Sequence, residues 1–307
     1  MAKTSGRTRG RIASRLAAAA ITAALVATGA SAVAAENPAK SAGSAAATVK
    51  APASLRSGAA SAAPSQFGLY GIAPDGVQYG YGLDGKGGLG DRKRLGQGFT
   101  TDRDVVQVDN DGNGGGSTGI WFRGADGNLG YLNWGQSPQL VGGGWNTYNH
   151  IWSVGNLGGA AAGDLLARDG SGNLYIYLNY GNGSLTSRYK VGGGWGQYNQ
   201  IAGNGDLTGD GKADIVARDG SGNLWLYKGT GNYKAPFEGR TKIGGGWNTY
   251  NTLVSTGDVD YDGKTDLIAR GNDGSLWRYS GNGNARDPFE SRVKIGNGGW
   301  NTYRLLF

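Results

Sequence analysis

IGGGWNTYN, residues 243–251, runs three glycines, the most permissive of backbones, straight into Trp247, the largest apolar side chain. Near-copies stand at 141–149 (VGGGWNTYN), 191–199 (VGGGWGQYN) and 295–303 (IGNGGWNTY). Trp145, Trp195, Trp247 and Trp300 are separated by 50, 52 and 53 residues, which marks the chain as an internal repeat. Twenty-two residues after the first three come Ala167-Arg168, Ala217-Arg218 and Ala269-Arg270. Seven residues after each of those alanines open LYIY (174–177), LWLY (224–227) and LWRY (276–279). Upstream, GQGF (96–99) replaces GGGW, Phe122-Arg123 replaces Ala-Arg, and LGYL (129–132) follows at the same offset. LYGIAPDGVQYGY (69–81) repeats the same strand–turn–strand passage, giving five copies in all.

Within the fourth unit the pattern predicts four short strands, roughly YNQIAGN, ADIVAR, NLWLYKG and RTKIG. DGSGN (169–173 and 219–223) supplies the tight hairpin turn between the second and third. In LWLY both alternating faces are apolar, as a strand covered on both sides requires. Five four-stranded units of this length predict an all-β, five-bladed β-propeller over residues 66–307. The chain ends on a first-strand motif, GGWNTYRLLF, and its folded part begins on a second strand. The C-terminal strand is therefore expected to complete the first blade and close the ring without a free edge.

The first 35 residues carry a basic segment (Lys3, Arg7, Arg9, Arg11, Arg15), an apolar run (16–30) and small residues at 32–35, the pattern of a secretory signal peptide. Its removal takes away five cations and no acids, so the formal charge of +7 drops to +2. Nucleic acid is then not an expected partner, and no other run is long and apolar enough for membrane insertion. Residues 36–65, rich in Ala, Ser and Pro and lacking aromatics, predict a disordered linker that could reach a protein partner. Extracellular localisation follows, and with no cysteine the fold must rely on packing or metal.

Two units carry an acidic loop. GDLTGDGKADIV places Asp206, Thr208, Asp210 and Asp214 at alternate positions around Gly211, with the Lys212 carbonyl available. GDVDYDGKTDLI repeats this with Asp258, Asp260, Asp262, Asp266 and the Lys264 carbonyl. Oxygen donors at this spacing suit Ca²⁺, and unneutralised carboxylates so close would repel one another. An EF-hand does not fit, because its position-12 Glu falls on Ala217 and Ala269. A degraded version, Asp109, Asp111 and Asn113, occupies the second unit; the third keeps only Asn156 and Asp164.

The repeat argues against an enzyme. Its only histidine, His150, occupies a position filled by Gln200 and Thr252 in other units, so no Ser-His-Asp triad can recur. What recurs is polar and aromatic: Arg123, Arg168, Arg218 and Arg270, with Trp145/Asn146/Tyr148, Trp195/Gln197/Tyr198, Trp247/Asn248/Tyr250 and Trp300/Asn301/Tyr303. Rigid rings with amide and guanidinium donors are the chemistry of sugar recognition; the alternative is that Trp and Tyr pack between blades and Arg bridges strands.

GGGWNTYN and the terminal KIGNGGWNTYRLLF (294–307) resemble the repeat of tachylectin-type lectins, as do RTKIGGGW (240–247) and SRVKIGNGGW (291–300). That resemblance implies a five-bladed propeller binding N-acetylhexosamine-containing glycans between blades. GDLTGDGKADIVAR resembles the FG-GAP/VCBS repeats of calcium-binding propellers, whereas tachylectin-type repeats lack such loops. Together these readings point to a secreted lectin. The competing reading is a non-catalytic adhesion scaffold or a subunit of a larger secreted assembly.

Overall fold

The computed structural model describes residues 64–160 and 162–307; the expected signal segment and nearly all of the expected linker lie outside them. Five four-stranded antiparallel sheets form a five-bladed β-propeller. Blade 2 comprises β4 (Asp104–Val108), β5 (Gly119–Arg123), β6 (Leu129–Asn133) and β7 (Gln139–Gly142). Blade 3 comprises β8 (Tyr148–Ser153), β9 (Leu165–Asp169), β10 (Leu174–Tyr177) and β11 (Tyr189–Gly192). Blade 4 comprises β12 (Tyr198–Ala202), β13 (Ile215–Asp219), β14 (Leu224–Gly229) and β15 (Phe237–Gly244). Blade 5 comprises β16 (Tyr250–Gly257), β17 (Asp266–Gly271), β18 (Leu276–Tyr279) and β19 (Val293–Gly296).

Blade 1 takes β1 (Leu69–Ile72), β2 (Gln78–Leu83) and β3 (Leu89–Gly96) from one end of the ring sequence and β20 (Leu305–Leu306) from the other. Pairing of Gly71 with Leu306 and Ile72 with Leu305 closes the ring as the repeat phase demands. The first strands of blades 2–5 and β20 line a central cavity of about 370 Å³. Five apolar clusters fill the five spaces between neighbouring blades, so the core is divided into interfaces rather than held in one centre.

The GGGW passage is the hinge of each interface. The last glycine adopts a left-handed conformation, with φ 81° at Gly144, 85° at Gly194, 83° at Gly246 and 84° at Gly299, which a β-carbon would strain. One 3₁₀ turn follows, and the Trp backbone N–H donates to the hairpin-turn carbonyl of the preceding blade: Gly127, Gly172, Gly222 and Gly274, at 2.8, 2.9, 3.0 and 3.2 Å. The chain thus folds over its own hairpin and drops into the next inner strand.

Before the first strand, the Ser65 carbonyl accepts the Asp258 N–H at 2.7 Å, and the Phe67 N–H donates to Thr256 O at 2.9 Å. Phe67 is buried.

Candidate functional site

Each junction Trp is buried against its own blade. Trp145 stacks on Tyr177 at 4.8 Å between ring centroids, Trp195 on Tyr227 at 4.7 Å, Trp247 on Tyr279 at 4.8 Å and Trp300 on Tyr81 at 4.5 Å. The following tyrosines are also buried, and each shares its hydroxyl with the same partner ring. The pairs are Tyr148–Tyr177, Tyr198–Tyr227 and Tyr250–Tyr279 at 2.6 Å, and Tyr303–Tyr81 at 2.5 Å. Burial, and then this hydroxyl pairing, holds the Tyr177, Tyr227 and Tyr279 phenols well above the ordinary tyrosine range, so all stay neutral.

A second arginine series, not singled out in the repeat, completes the arrangement. Arg188 Nη1 donates to the Tyr148 hydroxyl at 3.1 Å and Arg292 Nη1 to that of Tyr250 at 2.5 Å; Arg240 does the same to Tyr198. Arg92 lies over the Tyr79 ring at 4.8 Å and opposite Tyr81 in the β2–β3 register. The signal was present: Arg92, Arg188 and Arg240 stand seven residues before Phe99, Trp195 and Trp247. The partner tyrosines were hidden because LYIY and LWLY read as strands covered on both sides.

In the Trp195 copy these aromatics line an open cavity. A cavity of about 430 Å³ lies between β11 and blade 4, lined by Gly193, Trp195, Gln197, Tyr198, Tyr227, Lys234 and Phe237 among others. The indole N–H groups of Trp145, Trp195, Trp247 and Trp300 have no hydrogen-bond partner among the described residues. By contrast Trp121, Trp134, Trp225 and Trp277 donate to Gly183, Ser117, Asp219 and Ser275. Gln197, Asn146, Asn248 and Asn301 are exposed on the 3₁₀ turn. Asn301 donates to Asn272 O at 3.0 Å.

The expected arginine series occupies a different place. Arg168 Nη1 donates to Trp195 O at 3.0 Å and also to Tyr198 O of the next blade. Arg218 reaches Trp247 O at 3.0 Å and Tyr250 O; Arg270 reaches Trp300 O at 3.0 Å and Tyr303 O at 2.8 Å. Their Nε atoms donate to Asn149, Asn199 and Asn251. Arg123, 1% exposed, pairs with Asp104 at 2.5 Å and bonds Asn149 O. These guanidinium groups are latches between blades and lie behind the aromatic clefts. His150 sets Nδ1 3.1 Å from the same Asp104 carboxylate.

The acidic loops join first to second strands and surround a second cavity of about 500 Å³, with Asp109, Asp111, Asn156, Asp206, Lys212, Lys264 and Ser65 on its wall. Carboxylate oxygens of Asp258, Asp260 and Asp262 lie within 4.8 Å of one another. Asp260 meets Arg278 at 3.1 Å, yet its buried Oδ1 has no partner. Three converging carboxylates with an orphaned oxygen fit a hard divalent cation. In the fourth-blade loop Asp206 accepts the N–H groups of Thr208, Gly209 and Gly211, while Asp210 lies 3.4 Å from Lys228. The Lys212 and Lys264 N–H groups cap Asp210 and Asp262. In blade 2, Asp109 caps the N–H groups of Asp111 and Gly112, and Asn113 donates to Asp111.

Asp214 and Asp266 turn inward. Asp214 accepts the Leu207 and Gly229 N–H groups at 2.9 and 2.7 Å, and Asp266 those of Val259 and Gly281 at 2.9 and 2.8 Å. Asp164 does the same for Gly158 and Asn179 in the third loop, which has lost the other acids. This carboxylate holds the loop to the third strand whether or not the loop carries the acidic set. Burial raises Asp214 to about 6 and Asp164 and Asp266 to about 7.

Residues 206–269, from the fourth-blade acidic loop into β17, match the FG-GAP-like repeat. No curated protein matches the chain. Among solved structures, the BP39L lectin of Burkholderia pseudomallei is 14% identical, with 78% of this chain and 72% of that one covered and a TM-score of 0.45. AofleA of Arthrobotrys oligospora is 10% identical, with 76% and 69% covered and a TM-score of 0.45. Prp20p of Saccharomyces cerevisiae is 12% identical, with a TM-score of 0.37; 75% of this chain is covered, and it spans 61% of Prp20p. Likeness this low does not carry a function.

Proposed function

We propose that this chain is an exported, non-catalytic carbohydrate-binding protein with one sugar site in each of four clefts between blades. The observation that carries the reading is the fourfold recurrence of a buried Trp, its indole N–H without a partner among the described residues, beside two paired tyrosines. In the Trp195 copy the set lines an open cavity of about 430 Å³. A pyranose ring would lay its C–H face on the Tyr227 and Phe237 side, and the indole N–H would donate to a hydroxyl or acetamido oxygen. The N-acetylhexosamine preference comes from the tachylectin-type resemblance. Several weak sites on one ring suit a polyvalent glycan, where linkage raises avidity by about 10²–10⁴.

Calcium belongs to the same proposal. Asp258, Asp260 and Asp262 would hold one ion, and Asp206, Thr208 and Asp210 a second. Its charge would neutralise the carboxylates and tie each loop to its folded shape.

A glycan array of the exported form, with and without chelator, tests both parts. Binding to at least one glycan class is expected; no binding at high protein concentration in calcium would refute the carbohydrate reading. Protein docking is favoured by one feature. β7 is an outer edge without Lys or Arg, and its Leu140 is 68% exposed. A stoichiometric partner lost in Leu140→Lys would support that reading.

A further inference from the structure

We infer that the glycans taken by these clefts are anionic, bearing carboxylate or sulfate groups; this rests on the carbohydrate reading above and narrows it. The outer strand of each cleft-bearing blade places two cations on the face that carries the aromatic rings. Strand register puts Arg94 opposite Tyr79, Lys190 opposite Tyr175, Lys242 opposite Trp225 and Lys294 opposite Trp277. Two residues earlier stand Arg92 in β3, Arg240 in β15, and Arg188 and Arg292 immediately before β11 and β19. Residues two apart in an extended backbone share a face, so both cations of each pair lie on the face that carries the rings, and Arg240 borders the Trp195 cavity through its bonds to Gln197 and Tyr198, which line it.

The arginines are preset as anion receptors. Their guanidinium carbons lie 4.8, 4.8, 4.1 and 4.2 Å from the ring centres of Tyr79, Tyr175, Trp225 and Trp277. Arg188, Arg240 and Arg292 use Nη1 alone on the protein, and Nε and Nη2 have no partner among the described residues. A stacked guanidinium with a free Nε/Nη2 edge matches a planar carboxylate, or two sulfate oxygens, in a bidentate pair. All eight side chains are exposed, and none forms an ion pair among the described residues. The neighbouring acids on the outer strands are Asp91, Glu238 and Glu290; the last two precede Arg240 and Arg292 by two residues. Asp169 accepts the Tyr175 hydroxyl at 3.2 Å, Asp219 the Trp225 indole N–H at 2.8 Å, and Asp273 the hydroxyl of Ser275, to which the Trp277 indole donates. The Trp145 cleft has no acid at the position two before its arginine, having Thr186, and the Trp300 cleft has Gly90. Edge protection alone would explain lysines and arginines on outer strands. It would not explain why four blades put both cations on the aromatic face, with the arginine of each pair over a ring.

The test compares one oligosaccharide backbone in three forms, neutral, uronate-bearing and sulfated, by biolayer interferometry on the exported chain in calcium. The charged forms are expected to bind about tenfold or more tighter than the neutral one at low salt. That advantage should shrink between about 50 and about 300 mM NaCl as exposed charges are screened. The uronate and sulfate arms identify which anion the fork prefers. In the quadruple variant R92Q/R188Q/R240Q/R292Q, with its thermal midpoint checked, the ratio of charged to neutral binding should fall to about one. Equal binding of neutral and charged forms by the unmutated chain would overturn the inference and leave the carbohydrate reading standing. So would polyvinyl sulfate binding as tightly as the sulfated glycan. No binding by any of the three forms would overturn both.

Discussion

Four of the five blade interfaces are built alike, and the fifth, between blades 1 and 2, is not. There Phe99 stands in the Trp position, Asp102 in the Tyr position, Leu132 where other blades have the partner tyrosine, and Pro138 where they have the stacked arginine. The cross-strand pair is inverted as well. Ala167, Ala217 and Ala269 face Tyr175, Trp225 and Trp277, whereas Phe122 faces Gly130, which leaves its ring room to meet Phe99 at 6.2 Å. The latch survives the exchange. Blade 1 has Ile72 in the arginine register, and Arg304, immediately before the inner strand β20, donates instead to Asp102 O at 2.6 Å and to Phe99 O. What is common to all five interfaces is therefore the demand of ring closure. What is confined to four, the indole, the tyrosine pair and the stacked arginine, is not required to close a ring.

The largest effect should come from emptying a cleft. Trp247→Ala removes a buried ring and is expected to cost about 3–5 kcal/mol, read as a lowered thermal midpoint. Trp247→Phe, which moves this interface toward the Phe99 type, should be far milder for stability yet abolish ligand binding in that cleft. Next come the latches. Arg218→Met strands two carbonyls and the Asn199 amide oxygen, and Arg304→Met strands the corresponding carbonyls; each is expected to cost about 2–3 kcal/mol in chemical denaturation. A silent Arg304→Met would break the equivalence of the fifth interface with the rest.

Calcium at about a hundred times its dissociation constant should add about 2–3 kcal/mol, seen as a midpoint that drops on chelation. Asp260→Asn should remove part of that response, whereas Asn156→Ala in the third loop should leave it intact. A further test is the dependence on pH. Burial raises Asp102 to about 6 and Asp164 to about 7, above their ordinary 3.8, so the folded chain favours their protonated forms. That contribution is complete below pH about 4 and is lost as pH rises through 6–7, so the midpoint should fall from pH 5 to 8. Asp164→Asn should flatten the curve, and an unchanged slope would contradict the assignment.

The fold was legible because repeat spacing and the phase of the two ends are properties of sequence alone. The candidate site was only half legible. Arg168, Arg218 and Arg270 recur because a latch must, but their acceptors are carbonyls of the next blade, which no side-chain pattern reveals. Arg188 and Arg240 recur as strictly, yet an exposed arginine on an edge strand looks like ordinary surface until its stacking ring is placed. Asp214 and Asp266 sit at ligand spacing, and only the packing of β14 and β18 shows that both carboxylate oxygens already face backbone N–H groups.

Counting bound ligands separates the four clefts from the fifth most directly. Native mass spectrometry of the exported chain, titrated with a short glycan identified on the array, is expected to saturate at four ligands per chain and at three in Trp247→Phe. Saturation at five, at one, or at a number unchanged by that substitution would contradict a site in each Trp-bearing cleft.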